Sequence, residues 1–186
     1  MHTLNPTLWR TCRVLAGGKR IQLLRQIHDL PGRNVAGLAE SVGVGRAAAS
    51  QELRRIQSRG LLQSERHGVA VVYRLGADPQ VRSAVPLVKA LETALSRLPP
   101  ARDLEMARLA FGLAYPRRIA LAQALLAGPQ SETELGIALR LSAFAVFSHL
   151  RILRDCGWVR RENRRMVLAP PDHPLAKALV RLLPTS

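Results

Sequence analysis

Arg46, Ser50, Gln51 and Arg54 fall within nine residues of one another in the stretch "SVGVGRAAASQELRR" (41–55). Guanidinium forks and carboxamides match the guanine and adenine edges in a DNA major groove, and a hydroxyl can meet either a base or a phosphate. The same stretch carries Gly43-x-Gly45-x-x-Ala48, which fits the loose glycine fingerprint that cradles a dinucleotide pyrophosphate. That fingerprint needs a β-strand before its first glycine, whereas Val35, Leu38, Ala39 and Val42 have the spacing of a short helix. The glycines are therefore predicted to make a tight turn between two helices, where a residue may need a positive φ, and no nucleotide cofactor is expected.

Other chemistries find little to work with. Cys12 and Cys156 are far apart and form no C-x-x-C pair, so neither a disulfide framework nor a cysteine zinc site is indicated, and both are expected as small buried or half-buried apolar residues. No Ser/His/Asp set and no carboxylate pair stands out, so an enzyme is not expected.

Charge is the strongest global signal. The chain of 186 residues carries 28 Lys+Arg against 13 Asp+Glu, a formal net charge of +15, which points to a polyanion partner. Only Lys19, Lys89 and Lys177 are lysines, and arginine is the cation suited to bidentate contacts, although a GC-rich genome also inflates arginine. Aromatic residues make up 4% of the chain, too few for a protein that stacks single-stranded RNA bases. No apolar run approaches the roughly 18 residues of a membrane helix, and the N-terminal stretch lacks a signal-peptide layout. A cytoplasmic, nucleoid-associated protein without a membrane partner is expected.

The elements that must position these residues recur. "LAGGKRIQLLRQI" (15–27) aligns with "LAYPRRIALAQAL" (113–125) at an offset of 98, and "LRRIQSRGLL" (53–62) aligns with "LRILRDCGWV" (150–159) at an offset of 97. Two units, 1–98 and 99–186, account for the length, with a boundary at Pro99-Pro100. In the first unit Asn5-Pro6 opens a helix running to about Ala16, and Ile21, Leu24 and Ile27 mark a second. Asn34 caps a third helix, and a fourth runs from near Gly45 to Gly60. "LLQSERHGVAVVYRL" then gives two strands about a turn at His67-Gly68, and a last helix after Asp78-Pro79 carries Val81, Val85, Val88, Leu91 and Leu95.

The second unit repeats the plan. Ser131-x-x-Glu134 is a capping box opening its third helix, "LSAFAVFSHLRILRDCG" is its fourth, and "WVRRENRRMVLAP" is a hairpin with Asn163-Arg164 near the tip. A closing helix follows Asp172 and Pro174. The expected fold is mainly α with small β-hairpins, as tandem winged helix-turn-helix domains.

"LAYPRRIALAQALL" and "LSAFAVFSHLRILRDCGWV" resemble the helix start and recognition stretch of the ArsR/SmtB winged-helix repressors, through Leu141, Ser142, Val146, His149, Leu150, Leu153, Gly157 and Val159. The first unit fits more loosely, through Leu38-Ala39, Ser50, Leu53, Ile56, Gly60 and Leu61. The resemblance implies a bacterial-type transcription regulator whose fourth helix enters the major groove while the wing touches the backbone or minor groove. Metal sensing is the family's best-known activity, but the third helices "VAGLAES" and "TELGIAL" lack Cys and His, and His173, expected at the surface, is a solitary candidate ligand. No metal site is expected.

The residues support a DNA-binding regulator independently. Ala49, Leu53 and Ile56 share one helical face and should be buried, which turns Arg46, Ala47, Ser50, Gln51 and Arg54 outward. Arg55, Arg59 and the wing's Arg66, His67 and Arg74 would add phosphate contacts; the plainer alternative is a solvated helix face. In the second unit the candidates are Ser142, Ser148, His149 and Arg151 on the helix and Arg160, Arg161, Arg164 and Arg165 on the wing, with His149 equally suited to packing. Its outward Phe144 and Phe147 read bases poorly and suit a protein interface, so a protein-interaction scaffold is the rival reading. The partner expected is double-stranded DNA, bound either by an internal pseudo-dimer or by a homodimer joined through the stem helices.

Overall fold

The computed structural model describes residues 7–185. It is mainly α-helical with two small antiparallel hairpins. Residues 8–97 form α1 (Leu8–Leu15), α2 (Gly18–Asp29), α3 (Val35–Val42), α4 (Arg46–Gln57), β1 (Leu62–His67), β2 (Ala70–Leu75) and α5 (Ala84–Arg97). Residues 103–182 form α6 (Asp103–Gly112), α7 (Pro116–Leu126), α8 (Glu132–Leu139), α9 (Ala143–Asp155), β3 (Val159–Glu162), β4 (Arg165–Leu168) and α10 (Pro174–Leu182). The order of elements in the first stretch thus recurs in the second. The expected start at Asn5-Pro6 lies outside the described residues.

Local chemistry sets most boundaries. Asn34 Oδ1 accepts the Gly37 N–H at 2.9 Å and opens α3. Ser131 and Glu134 cap α8 reciprocally, and Ser142 Oγ accepts the Ala145 N–H at 3.2 Å at the start of α9. Three residues separate α3 from α4 and α8 from α9, and the latter pair turns through 113°, a helix-turn-helix geometry. The turn after α3 is closed by Gly43 in the left-handed region (φ 66°), while Gly45 is extended and needs no such freedom. At the corresponding turn after α8 the left-handed residue is Arg140 (φ 52°), which carries a Cβ into a region that disfavours it.

Three sequence expectations are corrected. The last helix of the first stretch begins at Ala84 rather than after Pro79, so Val81 is buried in a turn and Val85 faces solvent. Starting there puts Pro86 in the first turn, where its missing N–H breaks no helical bond. The β1–β2 loop is Gly68-Val69, one residue beyond the expected turn, because His67 pairs with Ala70. His173, expected at the surface, is buried at the start of α10, where its Nδ1 accepts the Leu175 N–H at 3.0 Å. Burial holds its imidazole below the ordinary histidine range.

The core is continuous. Leu23, Leu24, Leu53, Leu87 and Leu91 of the first stretch belong to the same buried cluster as Met106, Leu121, Trp158, Leu175 and Leu179 of the second. α5 packs along α10, and α6 packs against both α1 and α2. First helix therefore meets first helix, and last helix meets last helix. Trp158 is fully buried, donates from Nε1 to the Leu109 carbonyl at 2.8 Å, and lies so close to Gly112 that a Cβ there would stand 2.4 Å from its ring.

One polar contact runs through the apolar junction. Arg25 on α2 meets Asp103 at the start of α6 with two bonds, Nε–Oδ2 at 3.0 Å and Nη2–Oδ1 at 2.6 Å, and both side chains are more than nine-tenths buried. The same guanidinium donates to the carbonyls of Leu95 and Leu98 at the end of α5, and its hydrogen bond with Asp103 raises its proton affinity further. Asp103→Ala leaves that buried cation with only Asp29, 3.6 Å away and partly exposed, as a carboxylate partner, and should cost about 3 kcal/mol in urea unfolding, whereas the Arg25→Met/Asp103→Leu pair should lose distinctly less; equal losses would contradict this account. Arg140→Gly should gain about 1 kcal/mol by relieving the left-handed Cβ, read as a raised unfolding midpoint.

Candidate nucleic-acid interface

The α4 face is divided as its spacing requires. Ala49, Leu53 and Ile56 are fully buried, and Arg46, Ala47, Gln51 and Arg54 are exposed with Ser50 half-buried. Arg46, Ser50 and Arg54 line a groove of about 320 Å³ whose other walls are Asn34, Val35 and Ala36 and the hairpin residues Val69 to Val71 with Tyr73. Among the described residues no hydrogen bond or ion pair engages the side chains of Arg46, Gln51 or Arg54. Their donors face solvent unpaired, so a partner meets them without first breaking a protein bond.

The wing is held by backbone to the start of α3. Asn34 bridges to Val72 in an antiparallel contact, and in the second stretch Gln130 bridges to Met166 through two N–H···O bonds of 3.1 and 2.7 Å. Each hairpin is thus a short third strand short of free-standing. The first hairpin presents Arg66 without a partner among the described residues, while His67 and Arg74 both lie near Glu65, at 3.8 and 3.1 Å. Sequence reasoning missed Val69, which stands fully exposed at the hairpin loop; only the pairing register places an apolar residue there.

Arg55 and Arg59, read from sequence as phosphate contacts beside this face, point elsewhere. Arg55 Nη1 binds Glu52 at 2.6 Å, and both arginines line a separate concavity with α1.

In the second stretch the candidates separate into free and committed groups. Arg151, Arg161 and Arg164 are exposed and, among the described residues, unpaired. Arg164 sits with Asn163 in a two-residue loop, both at positive φ (63° and 44°), the tight reversal whose twist matches the flanking strands. Arg160 instead pairs with Glu162, and Arg165 binds Glu134 at 2.6 Å and the Pro129 carbonyl at 3.1 Å. Ser142 is occupied as the helix cap, and Ser148 is half-buried. His149 is half-buried and packs on Tyr115 at 5.3 Å between ring centroids. Burial, with Arg118 and Arg117 nearby, holds its imidazole below the usual range, which disfavours its charged form. Phe144 and Phe147 are exposed, with Ile137 of α8 exposed as well.

The remaining reactive groups are inert. Cys12 is buried, which pushes its thiol up to about 12, and burial raises that of Cys156 as well. Among the described residues no three His, Cys, Asp or Glu side chains gather in a metal-binding group. No single helix among them is long and apolar enough to cross a membrane.

No family model and no solved structure matches the chain. Among curated proteins, the HTH-type transcriptional regulator NmtR of Mycobacterium tuberculosis is 35% identical over 65 residues, 35% of this chain and 53% of that protein. The chain thus spans about half the length of the curated relative it matches.

Glu134 ties the second wing to its helix pair. One carboxylate oxygen accepts the Ser131 N–H at 2.6 Å and the other accepts from Arg165, and these bonds, that to Ser131 first, hold the carboxyl below its ordinary range. A depressed carboxyl keeps its tie above the unfolded carboxylate pKa and loses it as pH falls through the folded value. Glu134→Gln should therefore speed amide exchange at the β3–β4 hairpin at pH 7, while the native hairpin should loosen only on acidification to below the ordinary carboxylate range.

Proposed function

We propose that this chain is a sequence-specific double-stranded DNA-binding transcription regulator, acting as a repressor, built from two winged helix-turn-helix units at 1–98 and 99–186. The observation that carries the reading is the groove between α3, α4 and the first hairpin, where Arg46, Ser50 and Arg54 converge with unpaired donors. A recognition helix uses such side chains on base edges, and a wing beside it supplies backbone contacts. The net charge of +15 and the similarity to a transcriptional regulator agree with it. The fold is compatible with winged helix-turn-helix architecture.

The two units differ in their work. The first carries the base-reading set; the second presents Phe144 and Phe147 where those readers stand, with free cations at Arg151, Arg161 and Arg164. Base reading by the first unit and phosphate gripping by the second wing fit that division. The packing of α1 on α6 and of α5 on α10 supports an internal pseudo-dimer, in which one chain presents both recognition helices to an asymmetric site. Operator half-sites about 34 Å apart follow from such an arrangement.

A second reading rests on a specific feature. Exposed Ile137, Phe144 and Phe147 would suit a protein partner, making the chain an interaction module. Salt separates the two. DNA binding loses affinity on a log–log salt plot with a slope near −0.9 per phosphate neutralised, whereas a partner on the phenylalanines shows little salt dependence.

The experiment is selection of bound duplexes from a random pool, followed by titration of the recovered site. Arg46→Ala and Arg54→Ala should each cost about 1–3 kcal/mol of discrimination between the selected and scrambled sites. Arg161→Glu/Arg164→Glu should weaken both sites alike and flatten the salt slope. Failure to bind any duplex at low salt would overturn the proposal, and light scattering of the complex should give one chain per site.

A further inference from the structure

Five arginines close on one concavity of about 480 Å³ that no part of the DNA reading uses. Arg10 and Arg13 come from α1, Arg20 from α2, Arg55 from α4, and Arg59 from just beyond it, with Trp9 at the rim. Of these, none lines the groove of Arg46, Ser50 and Arg54. Arg55 and Arg59 stand at the far end of α4, about 14 Å or more along its axis from Arg46.

Neutralisation inside this concavity is incomplete. Glu52 is the carboxylate that reaches it, bonded to Arg20 and to Arg55. Arg10, Arg13 and Arg59 have no carboxylate partner among the described residues. Arg59 Nε is buried without any hydrogen-bond partner, and Arg10 lies over the Trp9 ring at 5.0 Å. Gathering guanidiniums with so little counter-charge is unfavourable for folding.

The other half of the molecule indicates that the fold does not need three of them, while Arg10 and Arg20 recur there as Arg108 and Arg118. At the offsets of 98 and 97, Arg13, Arg55 and Arg59 correspond to Phe111, Ile152 and Cys156, and Glu52 corresponds to His149. The register holds in detail, because Arg20 donates to the Arg13 carbonyl as Arg118 donates to that of Phe111. There the guanidinium of Arg118 is stacked on Phe111 and Tyr115 and the place is closed by apolar contacts, with Cys156 buried and Trp158 over Gly112. One half seals this position; the other leaves it open and cationic.

We propose that the Trp9–arginine concavity binds a small multivalent phosphate anion, either free polyphosphate or a polyphosphate ester. Planar guanidiniums from three helices match phosphate oxygens bidentately. Bound phosphate would compete with Glu52 for Arg20 and Arg55, so occupancy is felt on α4 itself. The inference rests on the correspondence of the two halves and not on DNA recognition, and its test contains no DNA in the primary arm.

The chain has two tryptophans, and only Trp9 is accessible; Trp158 is fully buried. Sodium tripolyphosphate is titrated into the full chain at constant ionic strength while tryptophan emission is followed, with a nucleoside triphosphate and sulfate as parallel arms. Saturable change is expected with tripolyphosphate, at least about tenfold tighter than with sulfate, since each bond to a charged group adds to the preference. A tighter nucleoside triphosphate identifies an ester as the ligand, and a tighter tripolyphosphate identifies the free chain. Trp9→Phe should abolish the signal while calorimetry still detects binding. Arg10→Ser/Arg13→Ser, at two exposed positions that leave the core intact, should weaken binding at least about tenfold with an unfolding midpoint no lower than that of the native chain. Equal affinity for sulfate would reduce the site to an adventitious ion only. Unchanged affinity in the double variant, or a flattened DNA salt slope in that variant together with displacement of tripolyphosphate by duplex DNA, would overturn the proposal, the latter by making the arginines a backbone grip.

Discussion

Arg25 and Asp103 meet inside the junction of the two helical stretches, and the relative placement of everything else depends on that meeting. The pair is intolerant of a shift. Each charge has left water, so the energy is recovered only while both bonds and the two carbonyl bonds to Leu95 and Leu98 persist. A sliding apolar contact between α2 and α6 would find many nearly equivalent positions, but this one has a single register. Because α2 also packs on α3 and α4, the register of α6 on α2 fixes the first helix pair relative to the second.

Much of this molecule can be read from residue order, for identifiable reasons. The caps at Asn34 and Ser131 and the buried stripe of Ala49, Leu53 and Ile56 act over three to seven residues, and sequence displays such relations directly. The turn at Gly43 is legible for the same reason. What sequence withholds is the set of contacts made across long separations. Nothing in its sequence neighbourhood marks out Asp103, yet it is buried against a partner 78 residues away. His173 reads as a surface residue, but its ring is folded under its own helix start. Arg160 and Arg165 look identical to Arg161 and Arg164 in a basic string, and only geometry separates those already paired from those left free.

The two halves also illustrate how one backbone plan accommodates opposite chemistry. Where the first half has Arg13, Glu52, Arg55 and Arg59, the second has Phe111, His149, Ile152 and Cys156, with the same helices around them. The same contrast holds on the outward face of the fourth helix, polar in α4 and aromatic in α9. Backbone order is set by caps, turns and the buried stripe, which both halves retain, so the remaining positions are free to diverge.

The unbroken core has a consequence for how the chain is made. Synthesis delivers α1 to α5 first, and the apolar faces that α1, α2 and α5 turn toward α6 and α10 have nothing to cover them at that moment. Leu175, Leu179 and Leu183, which complete the interior, are made after the rest of this core. The nascent first half therefore waits with its seam open until α6 and α10 have been made.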